Sequence, residues 1–115
     1  MSKESQHTFG LKVELTVGLK TKCGDPVPKD IALACIVQRL AEVEIDGFSV
    51  LQQTGFWKGA VEESLLVTVL DACLNADDCA IDFCHVGRLL ADDLLQECVL
   101  VCYTDVAAGL VWAEL

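Results

Sequence analysis

The chain is poor in proline, poor in basic side chains, and without any apolar run long enough to cross a bilayer. Two prolines and eight glycines in 115 residues exclude collagenous and proline-rich low-complexity chains. Eight lysines and arginines stand against eighteen acidic residues, a net charge of −10. So little positive charge argues against direct binding to a nucleic-acid backbone, which is held through Lys and Arg. No stretch approaches the ~18 consecutive apolar residues of a spanning helix, so no membrane partner is expected. The stretch Met1–His7 is polar and lacks the apolar centre of a secretory signal. These absences point to a cytoplasmic protein whose thiols stay reduced.

What the chain does have is apolar content, 53% of residues, and seven cysteines. That composition excludes disorder, and the length suits one domain. An odd cysteine count does not close a disulfide framework. No two cysteines show the C-x2-C spacing of a structural zinc site. Cys35, Cys84 and Cys102 fall within apolar patterns, where a thiol acts as a small hydrophobe. Cys73 and Cys79 flank an acidic loop. No metal and no cofactor are expected.

The charge is uneven. Five of the eight basic residues lie in 1–30, whereas Asp71 to Glu97 carries seven acids against Arg88. An acidic face of this kind either keeps the protein in solution or imitates a phosphate backbone. No run exceeds two adjacent acids, which favours the solvated face.

Residues 1–8 read as a flexible tail and 9–115 as a single domain. From Phe9 to Leu19 every second residue is apolar, the period of a strand with one wet face. Pro28 suits a first helical turn, and a helix follows over 29–44 with Leu33, Ile36, Val37, Leu40 and Val43 on one stripe, ended by Asp46-Gly47. Strands follow at 48–57 and 63–70, close enough for an antiparallel hairpin. Asn75, Asp77 and Asp78 suit a helix start, with an inward stripe of Ala80, Phe83, Cys84, Gly87, Leu90, Ala91 and Leu94. A fourth strand covers 98–104, and Leu110–Ala113 reads as a short fifth. The expected fold is α+β, a ferredoxin-like βαββαβ sandwich, with a four-stranded antiparallel sheet and two helices on one face. The other sheet face mixes Lys12, Glu14 and Thr16 with apolar side chains. Such a face predicts a homo-oligomer, a dimer or a trimer.

The chemistry-bearing residues are few. No phosphate-binding glycine loop is present. His85 follows Asp82 at helical spacing, an exposed Asp–His contact. Phe56, Trp57, Lys58, Glu62 and Glu63 cluster near the hairpin tip and form the candidate ligand- or partner-binding site, since aromatic area beside charges of both signs suits recognition. The simpler alternative packs Trp57 at a subunit interface and leaves the two glutamates in solvent.

The string Gly55-Phe56-Trp57 followed by Glu62-Glu63-Ser64 and Val67 resembles a G-x-W…E-x-S-x-x-V pattern of small uncharacterised bacterial and phage-associated families. Gln96–Val101 resembles the strand that closes such domains. The resemblance covers most of the chain in element order. It implies a ferredoxin-like domain and carries no activity with it. The layout also resembles the trimeric PII and copper-tolerance proteins, whose nucleotide-loop and metal residues have no match here.

The sequence thus leads to a homo-oligomeric binding or regulatory module that takes a small ligand. Two alternatives stand beside it. One is a small enzyme with an inter-subunit site, using Glu62 or Glu63 as base near Tyr103 or His85. The other is an acidic decoy for a nucleic-acid-binding protein.

Overall fold

A computed structural model describes residues 6–71, 81–111 and 113–114. The elements run β1 (Gln6–Gly18), α1 (Lys29–Glu42), β2 (Ser49–Trp57), β3 (Ala60–Asp71), α2 (Phe83–Asp93) and β4 (Leu100–Leu110). The four strands form one antiparallel sheet in the order β2-β3-β1-β4. That is the ferredoxin-like arrangement, with two βαβ halves interleaved.

The alternation in β1 sets the layers. Leu11, Val13, Leu15 and Val17 are buried, and across the ladder so are Leu65, Val67 and Val69. They meet Ala32, Ile36 and Leu40 of α1 and Phe83, Val86, Leu90 and Leu94 of α2 and its cap. Each fully buried aliphatic side chain contributes about 1.5–3 kcal/mol, so this layer dominates folding. Between the alternatives left open for the outer strands, Val50 packs against the core while Leu51 faces out, and Val67 is buried while Leu66 faces out.

Several boundaries move. β1 begins at Gln6, with His7 opposite Gly109, so residues 6–8 belong to the sheet instead of a tail. Because β1 starts that early, β4 runs on to pair through Leu110. The expected break at Ala107-Ala108-Gly109 is ladder, and Val111, Ala113 and Glu114 form no fifth strand. Continuing one ladder satisfies backbone groups along a long central strand that a turn would leave unpaired.

The helices also differ from the periodic reading. α1 stops at Val43, and Glu44 takes the left-handed conformation at φ 61°. The Glu44 N–H bonds the Ala41 carbonyl and the Ile45 N–H bonds the Leu40 carbonyl, both at 3.0 Å. This is a Schellman closure without glycine, three residues before Gly47. Val37 is 53% exposed, off the buried stripe. α2 starts at Phe83 on the Asp82 cap, whose carboxylate accepts from the His85 N–H at 3.1 Å. The Asp82–His85 contact is therefore a cap and involves no imidazole. Asn75, Asp77, Asp78 and Ala80, like Cys73 and Cys79, lie outside the described residues. The buried positions of α2 are Phe83, Val86, Gly87, Leu90 and Ala91. Cys84 sits one residue off that stripe and is exposed. Cys102 pairs with Glu14 on the outer sheet face and is exposed too. Neither thiol is in the core where the sequence pattern had put it: Cys102 alternates onto the outer sheet face, and Cys84 is turned about 100° from Phe83 around the helix, toward Tyr103.

Candidate functional site

A groove of about 710 Å³ opens at the end of the sheet where β1 stops. One wall is the β2–β3 hairpin. Lys58 (φ 49°) and Gly59 (φ 79°) form its two-residue turn, the positive-φ pair that matches strand twist. Behind that turn Phe56 pairs with Val61, Gly55 with Glu62, Thr54 with Glu63 and Gln53 with Ser64. Register alone thus carries Glu62 and Glu63 to adjacent positions on opposite faces of the hairpin.

The other wall is built from the end of α2 and the loop after β1. Leu95 is left-handed at φ 55°, and the Gln96 N–H returns to the Ala91 carbonyl at 2.8 Å, a second Schellman closure. This turn fixes two contacts. The Leu95 carbonyl accepts the Lys22 N–H at 2.8 Å, and the Gln96 side chain donates to the Gly18 carbonyl. The loop itself is closed by Val27 N–H to the Leu19 carbonyl at 2.9 Å and by a bridge between Lys20 and Pro26. Lys20 and Lys22 therefore stand on a hydrogen-bonded frame at the groove wall.

Of the residues expected from sequence, Phe56, Glu62 and Glu63 line the groove. Phe56 is 76% exposed, which leaves its ring free to stack. Lys58 sits at the hairpin turn and is not part of the lining. Trp57 pairs with Ala60 through its backbone, and its side chain lies outside the described residues. The Glu63 carboxylate is braced. It accepts from the Thr54 hydroxyl at 2.8 Å and from the Gln52 amide at 3.5 Å.

Tyr103 and His85 are not brought to these glutamates. Tyr103 lies opposite Val13 and Ser64 opposite Gly18, which separates them by about 16 Å along β1 alone at ~3.3 Å per residue. Tyr103 instead meets Cys84, with its hydroxyl 3.7 Å from the thiol sulfur, and packs edge-on to Phe83. Burial, followed by the Cys84 hydrogen bond, pushes its phenol up to about 12, so it stays protonated at neutral pH. Within a single chain the acid–base partnership is therefore not assembled; the expected pairing was one between subunits.

Local motifs missed Lys20, Lys22, Gln96 and Glu97, all of which line the groove. For the two lysines the one sequence signal was the surplus of basic residues in the first thirty; Gln96 and Glu97 were noted only as the start of the closing strand. Lys20, Lys22, Glu62, Glu63 and Glu97 thus all line the groove, with Glu62 and Glu63 reaching it from opposite faces of the hairpin. Among the described residues none of these lysines pairs with any of these glutamates in an ion pair. A flat ring, an anionic group and cationic groups could all be met in this cleft. Among the described residues no cluster of His, Cys, Asp and Glu is fit to hold a metal ion.

No family model and no curated protein matches the sequence. Two solved structures match over nearly the whole chain. One is a phage SAM lyase in complex with S-methyl-5′-thioadenosine, 19% identical, with a TM-score of 0.67 and 99% of each chain covered. The other is a phage SAM lyase in its apo state, 22% identical, with a TM-score of 0.59, covering 99% of this chain and 98% of that one. At these identities the likeness is one of fold.

Proposed function

We propose that the groove binds S-adenosylmethionine and that the protein is a small enzyme cleaving it to S-methyl-5′-thioadenosine. The observation that carries this reading is the charge pattern of the cleft, two lysines and three glutamates beside an open phenyl ring, on a fold shared end to end with a SAM lyase. The ligand is the mirror image of that set: a sulfonium and an ammonium, one carboxylate, and an adenine. Adenine stacking on Phe56 is worth about 1–3 kcal/mol by analogy with base–aromatic contacts. Glutamates suit the two cations. Glu63, braced by Thr54 and Gln52, is assigned to hold the ammonium of the amino-acid arm.

In the cleavage the bond between sulfur and the amino-acid arm breaks and its electron pair stays on sulfur. The sulfonium becomes a neutral thioether as a carboxylate oxygen of the arm bonds the carbon that sulfur leaves, closing a lactone that keeps the ammonium, so neither water nor an external base is consumed. Positioning of that arm is what a protein contributes here. The experiment is incubation of the purified protein with S-adenosylmethionine and chromatography of the products. The expected result is S-methyl-5′-thioadenosine accumulating as substrate disappears. Absence of that product, with no thermal shift on adding it directly, overturns the reading.

We also propose that the protein works as a homo-oligomer. Leu51, Leu66, Thr16 and Leu100 lie in one row across all four strands on the helix-free face, with Leu51 66% and Leu100 61% exposed. Ion-paired Lys12 and Glu14 flank that row at 3.8 Å, a charge pair that a second copy can complement. Thr16 and Leu100 also line the groove, so a subunit laid over this face closes one side of the cleft. A binding or regulatory module without catalysis would show the same assembly and ligand shift but no product.

A further inference from the structure

Three carboxylates and the carbonyl end of α2 make the groove mainly an acceptor of positive charge. Lys20 and Lys22 are the cations among its lining residues. Their placement is specific. The backbone of Lys22 is tied to the Leu95 carbonyl, and Lys20 is bridged to Pro26, so both stems leave a fixed loop. Resting on the reading above, we infer that Lys20 and Lys22 recognise the carboxylate of the ligand's amino-acid arm and so determine that the site takes α-amino-acid sulfonium or thioether nucleosides rather than decarboxylated ones.

The physical reason is a charge-assisted contact that only a carboxylate-bearing ligand can make. A ligand that keeps its adenosine and ammonium but lacks the carboxylate gains nothing from the lysines, which stand exposed at the groove wall, and so loses the charge-assisted contact. A phosphate dianion would satisfy the lysines but meet three nearby glutamates, so a single carboxylate accompanied by a cation is the better match. Once the arm departs, S-methyl-5′-thioadenosine carries neither the carboxylate nor the ammonium. The lysines then hold nothing, which helps the product leave.

The test uses three non-sulfonium probes and calorimetric titration of the full-length protein. S-adenosylhomocysteine carries the whole arm, its decarboxylated analogue carries the ammonium alone, and S-methyl-5′-thioadenosine carries neither. Lys22→Gln, and Lys20→Gln with it, are expected to weaken S-adenosylhomocysteine by about tenfold or more, the scale of one charge-assisted contact. The other two probes should stay within about twofold, and Lys22→Arg should restore most of the loss. Thermal melts of the variants should match the parent, since the Lys22 contact to α2 is made by its backbone. Equal losses for all three probes, or no loss for any, overturn the inference while leaving the proposed function standing. Failure of all three probes to bind the unmodified protein, with no S-methyl-5′-thioadenosine formed from S-adenosylmethionine, overturns both.

Discussion

Arg39 on α1 and Asp93 on α2 meet fork to fork, with Nε to Oδ2 at 2.8 Å and Nη2 to Oδ1 at 2.7 Å. Glu42 takes the remaining edge of the guanidinium at 3.1 Å. The bond clamps the end of α2, and that end carries the Leu95–Gln96 turn to which the groove wall is tied. A surface pair therefore reaches the candidate site through one turn of helix.

The Arg39 hydrogen bonds hold the Asp93 carboxyl below the usual carboxylate range. A carboxyl depressed in the folded state adds stability above its unfolded pKa, and that stability is lost as pH falls through the folded value. Melting temperature should therefore drop on acidification, and Asp93→Asn should flatten part of that slope. The variant should melt lower at neutral pH and converge with the parent at strongly acid pH. Thermal melts followed by circular dichroism across that range check it.

A methyl group placed on Gly87 would lie 2.9 Å from Val101 Cγ2 and 3.6 Å from Val99 Cγ1. Gly87→Ala gains about 1 kcal/mol of helix propensity but overpacks a β-branched side chain at a typical cost of ~1–3 kcal/mol. The expected net effect is a loss of about 1 kcal/mol, read from urea melts. Adding Val101→Ala should make the Gly87→Ala step favourable in that background.

The Thr54–Glu63 hydrogen bond links the two hairpin strands at an exposed position. Thr54→Val should alter stability by no more than about 0.5 kcal/mol. Formation of S-methyl-5′-thioadenosine should fall by about tenfold through looser placement of Glu63. Glu63→Gln should lose more. Equal rates for Thr54→Val and the parent would remove Glu63 from the positioning role.

Charge carries much of the proposed recognition, so salt should separate substrate from product. Affinity for S-adenosylmethionine, measured with the unmodified protein under brief mixing, should weaken steadily as ionic strength rises. Affinity for S-methyl-5′-thioadenosine should stay nearly flat.

Leu51 stands highly exposed on the helix-free face. Leu51→Lys should shift light-scattering mass toward that of the single chain while leaving the circular dichroism spectrum intact, since the side chain is outside the core. An unchanged mass equal to one chain for both proteins would rule the assembly out.

Much of the architecture was legible along the chain. The strict alternation of β1 defined a buried and a wet face, and the buried set Leu11, Val13, Leu15 and Val17 follows it residue for residue. The hairpin placed Phe56, Glu62 and Glu63 together because register in a two-residue turn is fixed locally. The phase of α2 was harder to read. Phe83, Gly87, Leu90 and Ala91 are buried as expected, but Cys84, which adjoins Phe83 and looks like stripe, is exposed, and Val86 takes its place on the buried face. The end of α1 was misplaced because Glu44 adopts a conformation that sequence rules reserve for glycine.

Sequence by itself determined the element types, their order and the two-faced sheet, because those follow from periods of two and of about 3.6 that each segment carries alone. It also determined that the glutamates of the hairpin share a tip. Tertiary structure decided what faces them. Lys22 meets the groove through a backbone bond to Leu95, more than seventy positions away by residue number, and Gln96 is joined to Gly18 across a similar span. No local pattern encodes such contacts, since they arise only when the end of α2 docks beside the end of β1.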